Sequence, residues 1–311
     1  MRFLMVDRIC ELSRATSARG IKNISWDDDF LDEYVPDMPV FSPALLAESV
    51  AQLVSWIIIE AKDFTVKPVI TVLDSFVCTG HPRPGDQLEL AGAIESISPE
   101  SALAHGEIFL NGKSIIRLEH AVCYLYPLHT LDPPERARLQ FANLYRPGHP
   151  LLAAAPVAPA DAAVQAGLVR RRRPLDRVIE TGDAGRLLGI KNVTATEDCF
   201  SDHFPLKPIL PGVFIMEAQA SLAAELVRRQ LAAQGSAGHY PVLCRAEKVK
   251  FRQFIQPGDQ MTVEAAVKSF AGDTCSIASK VTVGGKNAAS AQLHFDLLDR
   301  DTYIKQYILG L

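Results

Sequence analysis

The chain has 311 residues, 48% hydrophobic and 22% charged, with a formal net charge of −4. That is the balance of a soluble globular protein with room for about two domains, and it argues against a nucleic-acid partner. Six scattered cysteines (Cys10, Cys78, Cys123, Cys199, Cys244, Cys275) form no CxxC pair and no His/Cys cluster. They read as free thiols of a reducing cytoplasm, and no metal site is expected.

In chain order, Met1 to Arg8 meets charge too early for a signal peptide. A short element carrying Asp7-Arg8 and a strand around Ile21 to Ile24 come first. A proline-rich loop then leads into a long helix from about Pro43 to Lys62, entered at proline. Leu45, Leu46, Val50, Leu53, Val54 and Ile57 make it apolar on most faces, so it should be buried. Its apolar run at Ile57-Ile58-Ile59 stops at Glu60 and reads as too short to span a bilayer. Four strands are predicted next, over 68–77, 87–97, 101–110 and 113–126, with Asn111-Gly112 as a hairpin turn. From Pro127 to about Gly167 the chain is rich in Pro and Ala and reads as a linker, with Arg170 to Arg173 as its solvated end. The pattern then restarts. A strand is predicted over 190–194, a helix over 212–233 and strands over 242–251, 260–270, 274–283 and 286–297, with Gly284-Gly285 as the matching turn.

The restart is a duplication. Shifting by 169 residues pairs Asp7-Arg8-Ile9 with Asp176-Arg177-Val178, and Gly20 to Ile24 with Gly189 to Val193. The same shift lays Glu33 to Glu48 on Asp202 to Glu217 without a gap. Further on, Pro84-Gly85-Asp86-Gln87 recurs as Pro257-Gly258-Asp259-Gln260, a shift of 173. So long a period means two domains rather than a solenoid. The expected division is 1–128, a linker over 129–168, and 169–311. Each unit is α+β, a long helix wrapped by an antiparallel sheet.

The second copy reads His203-Phe204-Pro205-Leu206-Lys207-Pro208-Ile209-Leu210-Pro211-Gly212-Val213, followed by Glu217-Ala218. This closely resembles the active-site signature of the 3-hydroxyacyl-acyl carrier protein dehydratases, whose fold is the hotdog. The resemblance extends to Arg2 to Arg8, Gly189 to Val193, Lys250 to Gln253 and Pro257 to Gln260, and covers both halves apart from the linker. Leu206 stands where the family usually has glycine, a change expected to narrow the substrate entrance. The acid is Glu in both copies, as in the plain dehydratase branch rather than the dehydratase/isomerase branch, which has Asp.

The resemblance implies an internal pseudo-dimer, a double hotdog, with composite sites in which one half's histidine meets the other half's acid. One site would hold His203 with Glu48, the other Tyr34 with Glu217. Only the first is equipped for chemistry. Histidine titrates near neutrality and suits the base, whereas tyrosine, at about 10, does not. A buried glutamate can keep its proton. Gly212 opens its helix with a backbone N–H to give, while Pro43, facing it in the repeat, has none. Gln52 lies one turn after Glu48 on the same face; Ser221 is its counterpart. Phe204, Leu206, Pro211, Val213 and Ala44 are the expected substrate-binding residues.

The reaction so implied is dehydration of a 3-hydroxyacyl thioester to the trans-2-enoyl thioester. The substrate would ride on the phosphopantetheine of acyl carrier protein, and no other cofactor is expected. Lys207, Arg228, Arg229, Lys250 and Arg252 are candidates for a basic rim facing the acidic carrier. Within enzymes the alternatives are a hydratase or thioesterase on coenzyme A esters. Outside them stands a non-catalytic acyl-binding or scaffolding partner of a synthase. A homo-oligomer of the pseudo-dimer is compatible with all of these.

Overall fold

A computed structural model describes residues 3–26, 28–36, 38–149, 173–236 and 238–310. Its first half contains β1 (Arg8–Ser13), β2 (Ser17–Asn23), the short pair β3 (Leu31–Glu33) and β4 (Pro39–Phe41), and the helix α1 (Pro43–Ala61). Then come β5 (Val66–Cys78), β6 (Gln87–Ile97), β7 (Ser101–Leu110) and β8 (Lys113–Pro127). The second half repeats the plan with β9 (Arg177–Glu180), β10 (Arg186–Asn192), α3 (Gly212–Ala233), β11 (Tyr240–Phe251), β12 (Gln260–Ala271), β13 (Thr274–Val283) and β14 (Lys286–Leu298). Both long helices begin where the prolines place them, and the predicted hairpins form.

The segment read as a linker is partly structured. Its start forms a short 3-10 turn (Leu128–Thr130) and the helix α2 (Pro134–Leu144). Pro134 occupies the first turn of α2, where a missing N–H costs nothing. Two prolines in a row suggested a spacer, and the second of them starts a helix. Residues 150–172, with Arg170 to Arg172 among them, lie outside the described residues. A last turn of helix, α4 (Arg300–Tyr303), continues as a π-turn to Leu309.

Among the described residues twelve strands form one antiparallel sheet, ordered β1-β2-β6-β7-β8-β5-β11-β14-β13-β12-β10-β9. The order is a palindrome of the two halves, joined where β5 pairs with β11. The register at this join is itself two-fold: Val77 faces Arg245 and Val72 faces Lys250, two pairs that the 173-residue shift exchanges. The sheet curves around α1 and α3, which touch each other. This is the double hotdog that the family resemblance implied.

Helix α1 buries Leu45, Leu46, Val50, Leu53, Val54, Trp56 and Ile57 to Ile59. Each such side chain contributes about 1.5–3 kcal/mol of transfer free energy. By length and composition α1 also meets the requirement for crossing a bilayer, which corrects the reading that its apolar run is too short. Here the sheet takes the place of lipid, and two thirds of the apolar stretch is buried against protein.

Close approach of helix to sheet depends on two cross-strand partners, Gly92 on β6 and Gly106 on β7. A Cβ on Gly106 would overlap the Val50 side chain and come within 2.7 Å of the Ala91 carbonyl oxygen. One on Gly92 would meet Val54 at 2.9 Å. The second half uses Ala265 and Ser279 at the matching positions. Gly106→Val is therefore expected to lower stability by about 1–3 kcal/mol through overpacking. Thermal unfolding checks this, and an unchanged midpoint would contradict it.

Candidate active site

His203 sits in a loop that closes on itself. Its backbone N–H donates to the Cys199 carbonyl at 2.8 Å, and the Ile209 N–H donates to the His203 carbonyl at 3.1 Å. The ring Nδ1 lies 2.9 Å from the Ile209 carbonyl oxygen. A carbonyl only accepts, so Nδ1 carries the proton and Nε2 keeps its lone pair. Burial, the largest influence, holds the imidazole pKa down to about 4. The ring is therefore neutral at working pH.

The loop is clamped from several sides. The Leu206 N–H donates to the Leu131 carbonyl at 3.2 Å, and the Leu210 N–H to Ile255 at 2.8 Å. Asp202, just before the histidine, accepts from the Arg136 guanidinium on α2 and from the Phe3 N–H at 3.0 Å. The Phe3 ring stands edge-on to His203, with centroids 5.7 Å apart. Thus the N-terminal segment and α2, both from the first half, hold the histidine of the second.

Glu48 lies on α1, in the first half. Burial pushes its carboxyl up to about 7, opposed by a hydrogen bond from Gln52 and by the charge of Lys67. The Gln52 Nε2 donates to Glu48 Oε1 at 3.0 Å. The same amide donates to the Phe3 carbonyl and accepts from the Met5 N–H at 2.9 Å. Gln52 therefore orients the carboxyl and anchors the N-terminal segment that packs on His203.

His203, Glu48, Gln52 and Gly212 all line one cavity of about 320 Å³, whose walls come from both halves. Gly212 is the first residue of α3, and the opening N–H groups of a helix have no intrahelical acceptor. A Cβ there would press on the Phe251 ring at 3.0 Å, so glycine suits this packed corner. Of the expected substrate-binding residues, Phe204 and Val213 lie on the cavity wall. The other three do not. Leu206 is 55% exposed and is not on the cavity wall. Pro211 precedes the first turn of α3 and Ala44 lies in the first turn of α1; both are buried beside the cavity rather than on its wall. Arg252, just past the end of β11, is also on the wall, and Lys250, two residues earlier on that strand, is exposed. Lys207 lies over the Phe254 ring at 4.9 Å. Arg228 and Arg229 are paired with Glu225 and Glu180, roughly 24 Å along α3 from Gly212, too far to form a rim.

The pseudo-symmetric site is filled. Tyr34 stacks on His81 with ring centroids 4.8 Å apart, and burial raises its phenol well above the ordinary value. The charges of Asp32, Cys78, Tyr303 and Glu217 act on Tyr34 in the same direction. Tyr303 and Tyr307 of the C-terminal turn pack against His81. The His81 Nδ1 is 2.8 Å from the Tyr303 hydroxyl, and burial holds the His81 ring down to about 3. Proline at position 43 begins the facing helix. The rings of Tyr34, His81, Tyr303 and Tyr307 pack into this space.

Sequence reasoning missed Phe3, Lys67, Arg136 and Asp202. Asp202 had a signal, since it directly precedes the histidine. Lys67 had none, because a lysine near a strand end reads as surface.

A family model described as FabA-like domain matches residues 1–119 and 172–292. The 3-hydroxyacyl-acyl carrier protein dehydratases FabZ of Rickettsia akari and Rickettsia felis are each 39% identical over 137 residues, 43% of this chain and 92% of each relative. Among solved structures, the dehydratase domain of PpsC from Mycobacterium tuberculosis, in complex with C12:1-CoA, is similar with a TM-score of 0.54 and 14% identity. The match covers 96% of this chain and 100% of that one. A protein described as an oleoyl thioesterase from Lactobacillus plantarum is similar with a TM-score of 0.57 and 14% identity, over 93% and 99% of the two chains. At such identities the structural likeness speaks for the fold alone.

Tyr303 is fully buried in the filled site. Tyr303→Ala is expected to cost about 3–5 kcal/mol, as for other large aromatic truncations, and to leave acyl binding at the His203 cavity intact once folded. Thermal unfolding and ligand titration check the two parts. Loss of acyl binding in the folded variant would contradict the division of roles.

Proposed function

Since the chain belongs to the FabA-like domain family, we propose that it dehydrates 3-hydroxyacyl thioesters to trans-2-enoyl thioesters at one composite site. The observation that carries this reading is that His203 and Glu48, from opposite halves, line the same cavity beside the start of α3. The carrier is acyl carrier protein, whose phosphopantetheine presents the acyl group past Arg252 and Lys250. The cytoplasm is the compartment we assign.

The chemistry follows from the protonation states. The lone pair on His203 Nε2 takes a proton from C2. Glu48, kept neutral by burial, gives its proton to the hydroxyl on C3. The C2–H and C3–O bonds break, the C2–C3 double bond forms, and water leaves. The N–H groups at the start of α3 receive the negative charge that builds on the thioester oxygen. Proton return from His203 to Glu48 through solvent resets the site. At the filled site, a phenol held above its usual range in an aromatic pack is no base.

The pH dependence has a definite sign. Glu48 acts only when protonated, so turnover should fall as pH rises through about 7. His203 acts only when neutral, so the acid limb should lie near 4. The Gln52 amide favours the charged carboxylate. Gln52→Met should therefore move the alkaline limb to higher pH, and a limb that stays in place would contradict this coupling. A profile of kcat/KM against pH gives both readings.

His203→Ala should lower dehydration by roughly 10²–10⁴-fold, the usual worth of a general base, whereas Tyr34→Phe should leave it largely intact. The assay follows the enoyl thioester formed, with thiol titration to detect hydrolysis. Equal losses in the two variants would show the filled site in use. Thiol release in place of enoyl product would replace dehydration with thioester cleavage.

A further inference from the structure

Lys67, near the start of β5, is an ammonium group on the wall of the His203–Glu48 cavity. Its Nζ lies 5.3 Å from the centroid of the Phe204 ring and 5.5 Å from that of Trp56. Two aromatic rings thus hold the cation at the cavity wall. The charges of Asp132, Glu48 and Asp202 all act on it, and Asp132 and Asp202 are also paired with Arg136. Among the described residues none forms an ion pair with Lys67 within 4.0 Å. A cation turned into a cavity is costly to desolvate unless a partner meets it, and a purely hydrocarbon acyl chain supplies none. The filled half has Tyr240 at the matching position under the 173-residue shift, so the lysine belongs to the open site alone. Its charge acts on both Glu48 and His203, which share the same cavity wall.

Resting on the dehydration reading, we propose that Lys67 is a specificity residue for acyl chains that carry an oxygen beyond C3, with Nζ donating to that oxygen. The shared chemistry is a hydrogen-bond acceptor on the chain, either a carboxylate or a neutral carbonyl. Chains bearing one would bind in preference to plain hydrocarbon chains of equal length. Such a substrate must come from a reaction that leaves or installs oxygen further along the chain than the thioester end.

The test is binding of unreactive saturated acyl-pantetheine thioesters of six, eight and ten carbons, measured by calorimetry. Each length is used with a plain terminus, a terminal carboxylate and a keto group next to the terminal methyl. The wild-type chain is expected to bind one oxygenated set roughly 10-fold or more tightly than the plain set, the usual worth of a charge-assisted hydrogen bond. The set preferred tells carboxylate from carbonyl. Lys67→Met should bring the ratio close to one, and Lys67→Gln, which keeps an N–H, should retain part of it. Thermal unfolding confirms that each variant is folded. Preference for the plain chain at every length, or an unchanged ratio in Lys67→Met, overturns the proposal. Because these ligands do not react, the result is independent of turnover. A chain that shows the preference but does not dehydrate would refute the dehydration reading and leave Lys67 in its role.

Discussion

The pairing of β5 with β11 is the constraint from which the rest follows. It closes two half-sheets into one, and its register is symmetric under exchange of the halves. With the sheet so joined, α1 and α3 must lie side by side inside it. Glu48 on the first helix then reaches the wall on which His203 of the second half stands. Under the proposed mechanism, neither half supplies both working groups. Deleting the join would leave two long hydrogen-bonding edges and two half-covered apolar helices, so catalytic assembly and stability rest on the same contact.

Burial then does opposite things to two titratable groups. It disfavours the charged form of each, which raises the Glu48 carboxyl to about 7 and lowers the His203 imidazole to about 4. A neutral acid and a neutral base facing one cavity is the arrangement that elimination of water needs. The same burial at the other site raises the Tyr34 phenol and lowers the His81 imidazole. There the C-terminal tyrosines fill the space, while the corresponding part of the first half, α2, clamps the His203 loop from outside through Arg136. Duplication thus allowed one site to become packing and the other to keep its cavity.

Much of this was legible in the sequence because repetition makes pattern visible. The helices announced themselves through proline entry and continuous apolar faces, and the strands through matching hairpin turns. The composite pairs were implied by the family resemblance, and the loss of histidine in one copy and of the Gln52 counterpart in the other marked which pair was equipped. What stayed hidden depends on distance in the fold rather than on local pattern. Leu206 looked like a cavity residue because it lies in the motif, yet it is exposed and off the cavity wall. Lys67 looked like surface, yet the curve of the sheet folds it inward between Trp56 and Phe204. Two prolines in a row masked α2, and nothing in the composition of Tyr303 and Tyr307 foretold that they would fill a vacated site.

The central claim is that a single site is built from both halves. Its most direct test compares the turnover of Glu48→Gln with that of Glu217→Gln, each a change of one atom that preserves shape. Loss of turnover in Glu48→Gln with substrate binding retained, beside near-normal turnover in Glu217→Gln, is the predicted result. Normal turnover in Glu48→Gln with loss in Glu217→Gln would contradict it, and would mean that each motif works within its own half.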